Sequence, residues 1–178
     1  MNGVLKKILT FLYLILFFIL IYVLQIFVID GRTLFGVKPN LILISVIVIS
    51  LWFGIYKGSI YAFLTGILFD LLYGNNIGIF TISYTLCGLL IGYISNNYRK
   101  ENRMSLVYVT VFATFLFEFS EYIIYLFMTF TYSSIFYLIK QIIISSILNI
   151  VIVFIMYDVI YKIVTYFEEK LTDKQRLF

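Results

Sequence analysis

The sequence predicts an all-α integral membrane protein with six transmembrane helices. Of its 178 residues, 63% are hydrophobic and 12% are charged, whereas soluble domains are roughly half apolar and a quarter charged. The apolar residues form long runs separated by short polar segments, and about 20 apolar residues suffice for one helical span. The chain has no histidine and one cysteine, which excludes histidine-based metal or catalytic sites and an internal disulfide.

The predicted spans divide a single transmembrane domain, residues 1–178. The first span, residues 8–29, is longer than the roughly 7–15 apolar residues of a signal peptide, so we expect it to be retained. Pro39 suits the first turn of the second span, residues 41–56. A tight turn at Lys57-Gly58 then leads into the third span, residues 59–73. The remaining predicted spans cover residues 77–94, 104–130 and 135–161.

The distribution of basic residues predicts that both termini are cytoplasmic. Six spans place both termini on one side, and cytoplasmic loops carry an excess of Lys and Arg. With the N-terminus inside, the outer side carries two basic residues, Arg32 and Lys38, and Lys140 lies within a span. The inner side carries the other ten: Lys6, Lys7, Lys57, Arg99, Lys100, Arg103, Lys162, Lys170, Lys174 and Arg176. The net charge of +4 is too small and too scattered to indicate nucleic-acid binding.

Asp70 is an ionisable residue inside an apolar run, where a charge costs several kcal/mol. It lies four residues from both Gly66 and Gly74, so the three share one helix face. Two partners are predicted for its carboxylate: Lys38 at the outer boundary, or the amides of the Gly74–Asn76 turn. We expect a structural or interface role rather than transport or catalysis.

Further glycines continue this pattern in the second to fourth predicted spans: Gly54, Gly58, Gly78, Gly88 and Gly92. Small residues allow helix backbones to approach closely within a membrane. The pattern therefore predicts tight packing of these three spans, and a ligand cavity is the alternative interpretation.

The fifth and sixth predicted spans carry polar residues at helical spacing. On the fifth span these share one face: Thr110, Thr114, Glu118, Glu121 and Tyr125. On the sixth they are Gln141, Ser145 and Asn149, a stripe that predicts interhelical hydrogen bonds or contact with a partner's helix. A Glu121–Lys140 bridge between the two spans is our preferred interpretation. No nucleophile, metal ligand or phosphate-binding loop accompanies the carboxylates, so no catalytic, metal or cofactor site is predicted.

The order of motifs resembles the MreD family of rod shape-determining proteins. The segment Val37-Lys38-Pro39-Asn40 precedes an apolar span, which is followed by Gly58 and by Gly66-x-x-x-Asp70-x-x-x-Gly74-x-x-x-Gly78. Tyr84, Gly92 and Asn149 fit later parts of the family pattern. Outside the Val37–Gly92 window, the resemblance rests on length, span number and Asn149. It assigns no role to Glu118, Glu121 or Lys140.

This resemblance implies a non-enzymatic scaffold of the bacterial cell-elongation machinery, which synthesises lateral peptidoglycan and sets cell shape from the cytoplasmic membrane. The implied partners are an MreC-like bitopic protein and, through it, MreB-like actin and peptidoglycan synthases. The resemblance also implies a fold like that of the substrate-binding subunits of energy-coupling-factor transporters. A vitamin-binding subunit is therefore the alternative function. Such subunits typically dock through small residues on the first helix, whereas residues 11–21 contain no alanine.

Overall fold

A computed structural model describes residues 20–29, 36–73, 78–95, 103–130 and 134–172, and these residues form an all-helical fold. A π-helical segment, Leu24–Ile29, precedes four α-helices. These are α1 (Leu41–Tyr73), α2 (Ile79–Ile94), α3 (Arg103–Thr129) and α4 (Ile135–Thr172). The all-helical prediction is confirmed. Most of the first predicted span lies outside the described residues.

Three of the described helices are long and apolar enough to cross a membrane. The qualifying segments are Leu41–Leu72, Arg103–Thr129 and Ile135–Ile163, and α2 is a shorter apolar helix. In the first segment, 61% of the most apolar stretch of 18 residues is buried, against 22% of the corresponding stretch in each of the other two. Helices α3 and α4 thus expose apolar faces, whereas a larger share of α1 is buried. The six-span count stays a prediction.

Helix α1 folds back on itself at Gly54, whose backbone has φ 80° and ψ −178°. The Ser45 Oγ lies 2.8 Å from the Tyr61 hydroxyl oxygen, although a straight helix separates positions 45 and 61 by about 24 Å. The two arms, residues 41–53 and 55–73, therefore run antiparallel. The prediction of a turn at Lys57-Gly58 is wrong, because the chain reverses at Gly54 and both Lys57 and Gly58 are helical. Glycine alone readily adopts the backbone conformation found at Gly54.

The first arm of α1 is the core of the fold. Most of its apolar residues are buried, on all sides of the helix, including four with no exposed surface: Ile42, Leu43, Val46 and Ile47. A helix that is apolar on every side is suited to burial in protein or in lipid, and protein surrounds this one. Here α1 contacts α2, α3 and α4.

Asn40, not Pro39, marks the start of α1. The Asn40 Oδ1 accepts a hydrogen bond of 2.8 Å from the Leu43 amide, which is the geometry of an N-cap residue. The prediction that Pro39 lies in the first helical turn is therefore wrong, since Pro39 precedes the cap. Its carbonyl oxygen accepts a hydrogen bond of 3.2 Å from the Gln25 amide nitrogen.

The second arm of α1 packs against α2 with backbone in contact with backbone. A Cβ added to Gly66 would lie 2.5 Å from the Thr81 Cα, and one added to Gly92 would lie 2.5 Å from the Ile55 Cα. Carbon atoms cannot approach so closely, so these positions have no room for a side chain. Two further glycines lie at contacts of the second arm: Gly58 and Gly88.

Candidate functional site

The buried carboxylate of Asp70 binds the N-terminus of α2. Its Oδ2 accepts hydrogen bonds from the Gly78 amide at 3.0 Å and the Thr81 amide at 2.9 Å. Its Oδ1 accepts one from the Phe80 amide at 3.1 Å. The Thr81 hydroxyl donates a further bond to Oδ2, and Asp70 is only 3% exposed.

This arrangement satisfies amides that have no partner within α2. The first turn of a helix leaves its N–H groups unpaired, and the helix dipole favours a negative charge there. Gly78 reaches the capping position with φ 110°, a left-handed conformation that glycine tolerates best. The donors observed at Asp70 thus belong to α2 rather than to Lys38, which is exposed ahead of α1. The alternative predicted donors, at residues 74–76, lie outside the described residues, as does Gly74.

Asn40 connects three helices through one side chain and its own amide. Besides capping α1, its Oδ1 accepts a hydrogen bond of 3.0 Å from the Tyr84 hydroxyl on α2. Its backbone amide donates a bond of 2.9 Å to the Asn149 Oδ1 on α4. Tyr84 has no exposed surface and Asn149 is 1% exposed. Asn40 therefore fixes the start of α1 against both neighbouring helices.

Gln25 ties the N-terminal segment to the same point, a role that the sequence analysis missed. Besides donating to Pro39, its amide oxygen accepts a hydrogen bond of 2.8 Å from the Leu41 amide, and its side chain is 4% exposed. A signal was present in the sequence, because Gln25 is the one side-chain amide in the predicted first span.

Helices α3 and α4 are joined by a row of buried polar contacts. The Asn149 Nδ2 donates a hydrogen bond of 3.1 Å to the Thr114 Oγ1. One helical turn away, Ser145 Oγ and Gln141 Nε2 each donate a bond of 2.7 Å to Glu118. The two stripes of polar residues therefore face each other. Both carboxylate oxygens of Glu118 accept a hydrogen bond from α4.

The predicted Glu121–Lys140 bridge is not formed within the chain. Consecutive helix residues point about 100° apart, so Lys140 points away from α3 when its neighbour Gln141 binds Glu118. Lys140 is accordingly exposed. Glu121 instead borders a cavity of about 250 Å³ between α3 and α4. The residues lining this cavity are Glu118, Glu121, Tyr122, Tyr125, Tyr137, Leu138 and Gln141.

The chemistry of these sites is that of helix association. Within the described residues, no group of three or more His, Cys, Asp or Glu side chains could hold a metal ion. Asp70, Asn149 and Glu118 each bind groups on another helix or at its start. Such contacts position helices relative to one another.

The apolar helices, the glycine contacts and the interhelical hydrogen bonds define an integral membrane protein assembled by specific helix packing. The family described as rod shape-determining protein MreD matches residues 5–163. The chain therefore belongs to the MreD family, as its motifs predict, and that family determines rod shape. No curated protein and no solved structure matches the chain. The expected likeness to energy-coupling-factor subunits stays a prediction.

Proposed function

We propose that this protein is a non-enzymatic membrane scaffold of the machinery that elongates rod-shaped bacterial cells. The observation that carries the proposal is the match to the MreD family over residues 5–163. The contacts of the buried polar residues support it, because Asp70, Asn149 and Glu118 are occupied in holding helices together. Their role is therefore structural, and the surfaces they build are available for partner proteins.

The proposed direct partner is an MreC-like bitopic protein, which connects the scaffold to MreB-like actin and to peptidoglycan synthases. Large apolar side chains on α3 and α4 support recognition within the membrane. Among them, Phe127 is 75% exposed, Phe136 is 80% exposed and Ile155 is 72% exposed. In a bilayer such faces contact either lipid or the spanning helix of a partner, and close packing favours the second where shapes match.

The proposed topology has six spans in the cytoplasmic membrane, with both termini in the cytoplasm. The arrangement of basic residues in space supports it. A Cβ on Gly54 would lie 4.0 Å from the Ser95 Oγ, so the turn of α1 and the end of α2 are neighbours. Lys57 follows that turn, and Arg103 begins α3 shortly after Ser95. Basic residues at one end of the bundle are typical of the cytoplasmic side.

A vitamin-binding transporter subunit is not favoured by the family match. The cavity beside Glu121 has a volume of about 250 Å³, below the roughly 300–1,000 Å³ of typical small-molecule sites. The scaffold therefore remains the proposal.

Complementation and co-purification test this function together. A strain lacking the gene should lose its rod shape and regain it from a plasmid copy, and the MreC-like protein should co-purify with that copy. Asp70→Asn should reduce both effects, because it loosens the segment between Pro39 and Gly78. Asp158→Asn, an exposed carboxylate-to-amide change, is the matched control, with membrane levels compared by immunoblot. Normal rods in the deletion strain would contradict the proposal.

The gene neighbourhood provides a second, independent test. An adjacent gene for a single-span protein with an extracytoplasmic coiled coil supports the scaffold. An adjacent pair of ATPase genes, or a vitamin-biosynthesis gene, supports the transporter subunit instead.

A further inference from the structure

Glu121 is a carboxylate for which the described part of the chain supplies no hydrogen bond or ion pair. Its neighbour Glu118 has a donor on each oxygen. Both carboxylates line the cavity between α3 and α4, together with the aromatic rings of Tyr122, Tyr125 and Tyr137. A carboxylate with aromatic rings around it is well suited to bind a cationic group, since ring faces also attract cations.

Lys140 is the complementary group, a cation on the exposed side of α4. Phe136, Ile143 and Ile147 lie on the same face of α4 as Lys140. They are 80%, 54% and 55% exposed, so this face is apolar apart from Lys140. Among the described residues, no carboxylate forms an ion pair with Lys140. A lysine on a lipid-facing surface is costly unless it finds a partner or reaches the interface.

The two groups lie at similar depth. The Gln141–Glu118 hydrogen bond sets the register of α3 and α4, and it places Glu121 and Lys140 within about one helical turn of each other along the helix pair. The 27 residues of α3 span about 40 Å, against about 30 Å of hydrocarbon. Glu121, eight residues before Thr129, then lies about 7 Å inside the hydrocarbon border.

We propose that two copies of this protein associate in the membrane, each inserting Lys140 into the Glu121 cavity of the other. A two-fold axis along the membrane normal keeps both copies at equal depth, so that both ion pairs form at once. The exposed residues Phe136, Ile143 and Ile147 flank the contact. This inference is independent of the proposed scaffold function, because it concerns only contact between copies.

Charge complementarity at matched depth favours a second copy over other occupants. A lipid ammonium group lies outside the hydrocarbon layer, whereas Lys140 is already held at the level of Glu121. A basic residue on the helix of another protein is the remaining occupant, and the experiment below separates it from a second copy.

The test measures association of full-length copies in phosphatidylethanolamine–phosphatidylglycerol vesicles by energy transfer between donor-tagged and acceptor-tagged C-termini. Glu121→Gln and Lys140→Gln should each weaken association by about tenfold or more. Glu121→Lys and Lys140→Glu should each abolish self-association, because like charges then meet. Mixing these two charge-reversed proteins should restore it, since one native pair and one reversed pair form between the copies.

Restoration on mixing also shows that the charge-reversed proteins are folded. Asp158→Asn, at the other end of the α3–α4 pair, is the control and should leave association unchanged. The proposal is overturned if the single variants associate like the parent protein, or if mixing fails to restore association. It is also overturned if only the Glu121 variants weaken association, because Lys140 is then not the group that binds Glu121.

Discussion

At the scale of single residues, Asp70 supplies the hydrogen-bond acceptors for the backbone amides at the start of α2. Backbone N–H groups in a bilayer have no water to bind, so each needs an acceptor from the protein. The Asp70 carboxylate provides acceptors for the amides of Gly78, Phe80 and Thr81 at once. The unpaired amides at the N-terminus of α2 therefore explain why a negative charge is present at this position.

Asp70→Asn should lower the free energy of unfolding by about 1.5–3 kcal/mol. The asparagine side chain carries no charge, and its NH₂ group would face the N–H donors of α2 in place of one carboxylate oxygen. Equilibrium unfolding in mixed micelles measures the change. Asp158→Asn serves as the control: it removes an exposed ion pair with Arg103, so the loss should stay below about 1 kcal/mol. An unchanged stability and unchanged protein level for Asp70→Asn would show that the charge is unimportant.

Asn149 and Thr114 should be energetically coupled, because the Asn149 amide donates to the Thr114 hydroxyl between two helices. A double-mutant cycle with Asn149→Ala and Thr114→Val should give a coupling energy of about 0.6–1.7 kcal/mol, the range for hydrogen bonds between membrane helices. A control cycle with Asn149→Ala and Thr165→Val should give no coupling, since the Thr165 hydroxyl donates hydrogen bonds only within α4. Equal coupling in both cycles would argue against a direct bond.

At the scale of elements, the α1 hairpin organises the fold. Its first arm is surrounded by other elements, and its second arm carries the glycines that admit α2. Both arms depend on the reversal at Gly54, where φ is 80°. A Cβ at this position would meet only the Ser95 Oγ, at 4.0 Å, so space does not limit the residue there. The backbone conformation limits the residue at this position to glycine.

Gly54→Ala should therefore lower the free energy of unfolding by about 1–3 kcal/mol, through backbone strain rather than a steric clash. The thermal transition of the purified protein reports the loss. Tyr56→Ala, two residues further on at a side chain that is 82% exposed, should have little effect. Equal transitions for Gly54→Ala and the parent protein would mean that the reversal does not depend on glycine.

At the scale of the whole molecule, the proposed topology places the two ends of the bundle on opposite sides of the membrane. Arg103 pairs with Asp158 at 2.6 Å near the end where α1 reverses, whereas Thr129 and Ile135 lie at the other end. Both ends carry exposed side chains suited to labelling: Tyr56 is 82% exposed and Phe130 is 86% exposed.

Cysteine labelling with a membrane-impermeant maleimide should distinguish these ends in a Cys87→Ala background, which lacks cysteine. Phe130→Cys should react in intact spheroplasts, whereas Tyr56→Cys should react only after permeabilisation. Permeabilised samples of both variants confirm that each thiol is reactive. Reaction of both from the same side would contradict the six-span topology.

Much of the fold could be predicted from the sequence because composition and local spacing determine it. Apolar runs predict helices, and the motif around Asp70 correctly indicates the family. The position of the α1 reversal could not be predicted, because Gly54 and Gly58 are equally able to form a turn. The Glu121–Lys140 bridge within the chain was predicted wrongly because spacing along one helix does not determine which face meets its neighbour.

The sequence by itself determined the all-helical membrane class and the MreD family, because both follow from hydrophobicity and motif order along the chain. Only the tertiary structure decided which groups the buried polar residues bind. Asp70 binds the amides of α2, and Glu118 binds Gln141 and Ser145. These partners are 8 to 27 positions apart in the chain, so packing, which sets helix rotation and register, brings them together.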